Sequence, residues 1–248
     1  MPDTVTFLSS GHTPVEFTIS RTALANSKVL SDLAALPVSI HNTDKPQLEE
    51  GPYELTPFFG LLQGEAVRED EMSEGEWTAL ARMSDKYDSE IVRSVVQRKG
   101  WQLAAQNVSP VLAFTLAAHV QDCALAKHCG IAALEASLCR WYYFQIPDPW
   151  LINLKTWRER LLTRALILYL DAAYLPPACG RKKCDRLEAI GSWVALGKRV
   201  AAQFRPRDPF VGNFDAVTLD CVPCKAELRV KAEELDKKYL DKLPEFFA

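Results

Sequence analysis

Four cysteines carry the clearest chemistry in this chain: Cys179 and Cys184, with four residues between them, and Cys221 and Cys224, with two. Zinc takes four soft ligands in a tetrahedron, and a two-residue spacer lets both thiolates of one turn face a single ion. Cys221-Val222-Pro223-Cys224 has that spacer, whereas the first pair is wider and 36 residues separate the halves. Two readings stand: a structural zinc on Cys179, Cys184, Cys221 and Cys224, or small buried thiols, since free cysteine is among the most buried residue types. The second is the commoner fate. The chain is expected to require no cofactor, and structural zinc is the one it offers ligands for. No βαβ pattern surrounds Cys221 and Cys224, which argues against a thioredoxin-like role. Cys123, Cys129 and Cys139 fall on expected helices and are assigned to the core.

Other chemistry is weaker. Gly191 to Arg199 (GSWVALGKR) has five residues between its glycines and no Ser or Thr after the lysine, so it fails as a phosphate loop. His119 and His128 have no glutamate at metalloprotease spacing and read as satisfied structural histidines. Neither a G-x-S-x-G elbow nor a glycine-rich dinucleotide fingerprint occurs. The expectation is a protein that is not an enzyme.

Seven cysteines, an odd number, argue for reduced thiols. Asp3 and Thr4 stand where a secretory signal would be basic and then apolar, so an intracellular chain, cytoplasmic or nuclear, is expected. Val111–Ala118 and Leu161–Leu170 are too short or too interrupted to cross a bilayer. Charge is uneven: residues 1–100 carry 9 Lys/Arg against 16 Asp/Glu, residues 101–175 carry 6 against 5, and residues 176–248 carry 14 against 11. An acidic front end repels nucleic acid, and the small excess at the back does not imply phosphate binding.

The elements that must position these residues begin with two strand-like runs, Val5–Leu8 and Val15–Ile19. The second is apolar at alternate positions, and Ser9-Ser10-Gly11-His12 lies between as a hairpin turn. Ser20 and Ser27 are placed to cap helices over Arg21–Ala25 and Lys28–Leu36. Val38–Ile40 is a short strand candidate, and Tyr53–Leu62 reads as helical despite Pro57. Ser73 and Glu76 form a capping box ahead of Trp77, Leu80, Ala81, Ser84 and Tyr87 at helical spacing. A new helix follows Ser89. Ser109-Pro110 starts another, Asp122 the next, and residues 146–153 are a break. A helix then resumes from Trp157 to Ala173, Asp185–Ala202 is helical, Phe204–Asp220 is loop, and Cys224–Leu243 is amphipathic through Leu228, Ala232, Leu235 and Tyr239. Trp141-Tyr142-Tyr143-Phe144 is either core packing or a partner groove.

Two stretches resemble one known family. Val5–Gly11 (VTFLSSG), Val15–Arg21 (VEFTISR) and Leu24–Leu33 (LANSKVLSDL), followed in order by Leu80–Val96 (LARMSDKYDSEIVRSVV), are similar to the BTB/POZ domain in its short, elongin C-like form. The helices after Gly100 resemble the BACK extension that follows many such domains, and the layout is similar to that of basidiomycete fungal BTB proteins. The resemblance implies an α+β domain over residues 1–100, a BACK-like helical extension over 101–175 and a cysteine-bearing helical module over 176–248. It also implies a protein–protein interaction scaffold or adaptor without catalytic residues, linked through its family to cullin–RING ubiquitin ligation. The expected partners are proteins, a cullin or a substrate protein, with no nucleic acid and no membrane. The first strand begins within about five residues of Met1, so a monomer or hetero-oligomer is expected in place of the family's swapped homodimer. The alternative function is a zinc-dependent transcription or chromatin regulator acting through the C-terminal cysteines.

Overall fold

The computed structural model describes residues 3–36, 45–136, 138–172, 186–214, 216, 217, 219 and 221–241, with the backbone alone at 138, 139 and 186–189. It is mostly helical with a small antiparallel sheet, consistent with the α+β expectation. The chain divides into two compact units, Met1–Cys129 with Leu138–Pro147, and Gly130–Ser137 with Asp148–Ala248. Among the described residues no helix is long and apolar enough to cross a membrane.

The first unit opens with β1 (Thr4–Leu8) and β2 (Glu16–Ser20), paired antiparallel so that Val5 faces Ile19 and Phe7 faces Phe17. Gly11, at φ 115°, takes the turn conformation that a side chain would resist. Ser9 closes the loop, its N–H donating to Val15 O at 3.0 Å and its hydroxyl accepting from Val15 N at 2.9 Å. On the other side of β1 an extended segment runs parallel to it. Leu8 N donates to Pro46 O at 2.9 Å, Leu48 N to Leu8 O at 2.8 Å, and Ser10 N to Glu50 O at 2.8 Å. The Val38–Ile40 strand candidate lies outside the described residues.

Helices α1 (Arg21–Leu24) and α2 (Lys28–Ala35) start where the serines direct. Ser20 Oγ accepts from Ala23 N at 3.1 Å and Ser27 Oγ from Leu30 N at 3.3 Å, each satisfying one orphan donor of a first turn. Helix α3 (Pro52–Leu62) places Pro52 in its first turn, where a missing N–H costs nothing, and tolerates Pro57 inside. Its Phe59 packs on the sheet, 5.9 Å from Phe7 and 5.2 Å from Phe17 between ring centroids. The capping box opens α4 (Glu74–Lys86), with Ser73 Oγ accepting from Glu76 N at 3.3 Å and Glu76 accepting from Ser73 N at 2.7 Å. Its stripe of Trp77, Leu80, Ala81, Ser84 and Tyr87 is buried throughout.

Helix α5 (Glu90–Gln106) continues through residue 100, and α6 (Pro110–His119) packs against both α4 and α5. Every residue of α6 from Val111 to Ala118 is buried, as befits a helix apolar on all sides. The helix starts at the expected proline, yet Ser109 sits at φ 45° and turns its hydroxyl to the Glu74 carboxylate instead of capping. Helix α7 (Cys123–Leu134) follows, with Asp122 Oδ1 accepting from Leu125 N at 2.9 Å, and α8 (Leu138–Tyr143) after it. Gly100 of α5 lies flush against α7, since a Cβ there would meet Leu125 Cδ2 at 2.6 Å. Alanine gains about 1 kcal/mol of helix propensity over glycine, while overpacking costs typically about 1–3 kcal/mol. Gly100→Ala is therefore expected to lower the stability of this unit by about 1 kcal/mol. Urea unfolding checks it, and shortening Leu125 to valine should shrink the difference.

In the second unit α9 (Asp148–Asp171) begins well before the expected Trp157. The expected break at residues 146–153 is thus corrected: Asp148 and Pro149 occupy a first turn, where proline's fixed φ favours the helix. Leu151, Leu154, Leu161 and Ala165 are its buried side. Helices α10 (Arg186–Ala202) and α12 (Val222–Leu240) pack on it. Tyr169 stacks on Trp193 at 4.9 Å and donates its hydroxyl to Trp193 O at 2.9 Å. The expected loop over residues 204–220 contains one helical turn, α11 (Val211–Phe214). The Asp236 carboxylate of α12 caps it, accepting from Phe210 N at 2.9 Å and Val211 N at 2.8 Å. The expected stripe of α12, Leu228, Ala232, Leu235 and Tyr239, is fully buried.

Candidate functional sites

The cysteine constellation divides. Cys179 and Cys184 lie outside the described residues. Cys221 is half-buried at the start of α12, and Cys224, one turn in, is buried on the same face as Leu228. Among the described residues no three His, Cys, Asp or Glu side chains are grouped to hold a metal ion. Cys129 is a core thiol as expected, donating to Leu125 O at 3.0 Å, with burial pushing its pKa up to about 12. Cys123 is exposed, which corrects its assignment to the core: it starts α7 beside the capping Asp122, on the solvent side. Cys139 falls within α8. Gly191–Arg199 is helical within α10.

The two family-like stretches are joined by direct bonds. Ser27, fully buried, donates its hydroxyl to Tyr87 O at 2.7 Å while capping α2, and Lys28 N donates to Asp88 O at 3.3 Å. A single buried carboxylate, Glu50, then ties the extended segment beside β1 to the end of α4. It accepts from Tyr87 Oη at 2.5 Å and Lys86 Nζ at 2.8 Å, and Lys86 also donates to Glu49 at 2.9 Å. Burial raises the Glu50 carboxyl, but the bonds from Lys86 and Tyr87 outweigh it and hold the group below the ordinary carboxylate range. Burial and the same carboxylate push the Tyr87 phenol up. Lys86 is raised too, because its two glutamate partners outweigh its own desolvation. This arrangement fixes a backbone junction; it does not ready a proton for transfer.

A cleft of about 210 Å³ opens between α3, α4 and the turn after α8. Arg82 Nη2 donates to Glu54 Oε1 at 2.7 Å within it, and Tyr143 and Gln145 form the opposite wall. The volume is below the roughly 300–1,000 Å³ usual for small-molecule sites and suits a single side chain. Among the described residues Arg82 Nε is buried without a partner, and so is His119 Nε2. His119 makes a hydrogen bond with the Gln145 backbone, so the satisfied histidine expected from its helix position holds for one ring nitrogen and not for Nε2. Burial lowers its pKa, with Arg82 adding to that effect and Asp85 opposing it.

The aromatic run divides by helical geometry, and its buried half bears out the core-packing reading. Trp141 and Phe144 are buried at three-residue spacing, while Tyr142 and Tyr143 are 58% and 69% exposed.

No family model, curated protein or solved structure matches the chain. The candidate sites therefore stand on their own geometry. Glu50 and the Glu54–Arg82 pair were not singled out by sequence reasoning, since each depends on a partner some thirty residues away.

Proposed function

We propose that the chain is a protein–protein interaction module of the BTB/POZ type, acting as a scaffold or adaptor. In this reading residues 1–100 form the BTB-like domain, residues 101–175 the BACK-like extension and residues 176–248 a helical module. The observation that carries it is the junction of Ser27 and Lys28 with Tyr87 and Asp88. The two stretches on which the resemblance rests are thereby parts of one packed unit, in the element order hairpin, helix pair, extended segment, helix, helix pair. The exposed tyrosines at 142 and 143 and the small polar cleft beside them add surfaces suited to side-chain recognition. A link to cullin–RING ligation belongs to the same proposal.

The test is affinity capture with the full chain as bait. The recovered protein is then produced separately and titrated against the chain by calorimetry. A saturable complex of fixed stoichiometry is the expected result. A chain that retains no protein at stoichiometric level, or that turns over a small molecule instead, counts against the proposal.

A further inference from the structure

Between α3 and the loop that follows it lies a groove of about 340 Å³. Its floor is apolar and half-buried, made by Pro57 and Gly60 of the helix and Val67 and Met72 of the loop. Gly60 keeps it open, because a Cβ there would come within 3.1 Å of the Glu65 carboxylate. The loop is anchored at both ends of this wall: Glu65 N donates to Gly60 O at 2.9 Å, and Arg98 of α5 pairs with Glu69. The groove is therefore preformed, which limits the ordering cost of binding.

Its rim is predominantly acidic, with Glu65, Glu71 and Glu76 set against one cation, Arg68. Residues 65–76 contain six carboxylates and a single cation, Arg68. Glu69, Glu71 and Glu74 have ion-pair partners in Arg98, Arg68 and Arg140, and Glu76 is engaged with Ser73. Among the described residues Glu65 and Asp70 have no cation within reach. A small apolar floor under an acidic rim selects against nucleic acid and anionic membranes, which the rim repels. It selects for a cationic chain with an aliphatic anchor.

We propose that this groove docks a short basic segment of a partner protein. One aliphatic side chain of that segment seats on Pro57, Val67 and Met72, and lysines or arginines face Glu65 and Glu71. The proposal deepens the interaction-module reading and rests on it.

The probe is a fluorescein-labelled peptide in which two leucines are set among lysines and arginines, titrated against the full chain by polarisation. Saturable binding is expected, weakening at least about tenfold in the double variant Glu65→Lys, Glu71→Lys. A similar loss is expected when Ala66→Trp fills the groove. All three positions are exposed, and circular dichroism and Tm check that each variant remains folded. The groove assignment is overturned if the parent chain does not bind the probe, or if both variants bind it as well as the parent does. It also falls if replacing the leucines by serine changes nothing, because charge alone would then explain binding. Self-association of the chain that the charge reversal abolishes would make the occupant a second copy and overturn the partner assignment. A captured protein that binds the double variant undiminished removes the groove but leaves the adaptor reading standing. A chain with no protein partner at all removes that reading.

Discussion

Glu50→Ala is expected to destabilise the first unit by about 3 kcal/mol, the cost of stranding buried hydrogen-bond donors. The carboxylate is 3% exposed and receives two side-chain donors. Lys86 is 37% exposed and keeps Glu49, so solvent recovers much of its part. Tyr87 is 4% exposed, and its hydroxyl has no such recourse. Most of the loss therefore comes from the phenol and from the emptied volume. Hydrogen exchange at the amides of β1 and the end of α4 reads it, and a cycle with Tyr87→Phe isolates the coupling. The pH dependence has a definite sign. A carboxyl held below its unfolded pKa contributes stability that is present at neutral pH and lost as pH falls through the folded value. Acid should thus loosen the first unit, and Glu50→Ala should flatten that limb. An unchanged acid limb in the variant would sink the account.

The second unit should respond to pH in the opposite sense. Asp236 is 7% exposed, and burial raises its pKa to about 6 against an ordinary 3.8, despite the two backbone N–H bonds that favour the charged form. Asp208 nearby adds to the rise. A folded pKa above the unfolded one contributes stability that is complete below the unfolded value and lost as pH rises through the folded value. The window is pH 3.8 to about 6, and the change is on the order of 2–3 kcal/mol. Asp236→Ala strands the N–H groups of Phe210 and Val211, at about 2–3 kcal/mol. That cost should be larger at pH 5 than at pH 7.5, because at the higher pH the variant also sheds a buried charge. Asp236→Asn keeps one acceptor and should remove the pH dependence. Exchange protection of the Phe210 and Val211 amides, compared between variant and parent at each pH, gives the measurement. A cost that grows with pH would refute the scheme.

These two carboxylates also mark where sequence reading stops. Ser20, Ser27 and Ser73 could be read as caps because a cap is settled within three or four residues, and all three bonds are present. The stripes of α4 and α12 were legible for a similar reason, since helical spacing alone decides which side is buried. Helix α11 was not, because its cap comes from Asp236, some 25 residues on, and no local window contains both. Glu50 looks like any other acidic loop residue until Lys86 and Tyr87, 36 and 37 residues away, are brought to it. The early start of α9 is hidden in the sequence because Pro149, a residue that breaks helix interiors, serves here in the first turn. Of the four proposed zinc ligands, Cys221 and Cys224 are placed at the start of α12, and the other two lie outside the described residues.

The all-round burial of α6 bears on how such a protein can be recombined. A mixed strand-and-helix front followed by helices alone suggests parts that evolution could exchange at residue 100. Yet α6 lies against both α4 and α5, and α5 itself runs past that point. Cutting there would bare the apolar faces of two helices and leave Val111–Ala118 without a home. The inheritable piece is therefore larger than the family-like segment, and grafts that carry the front without α6 should aggregate.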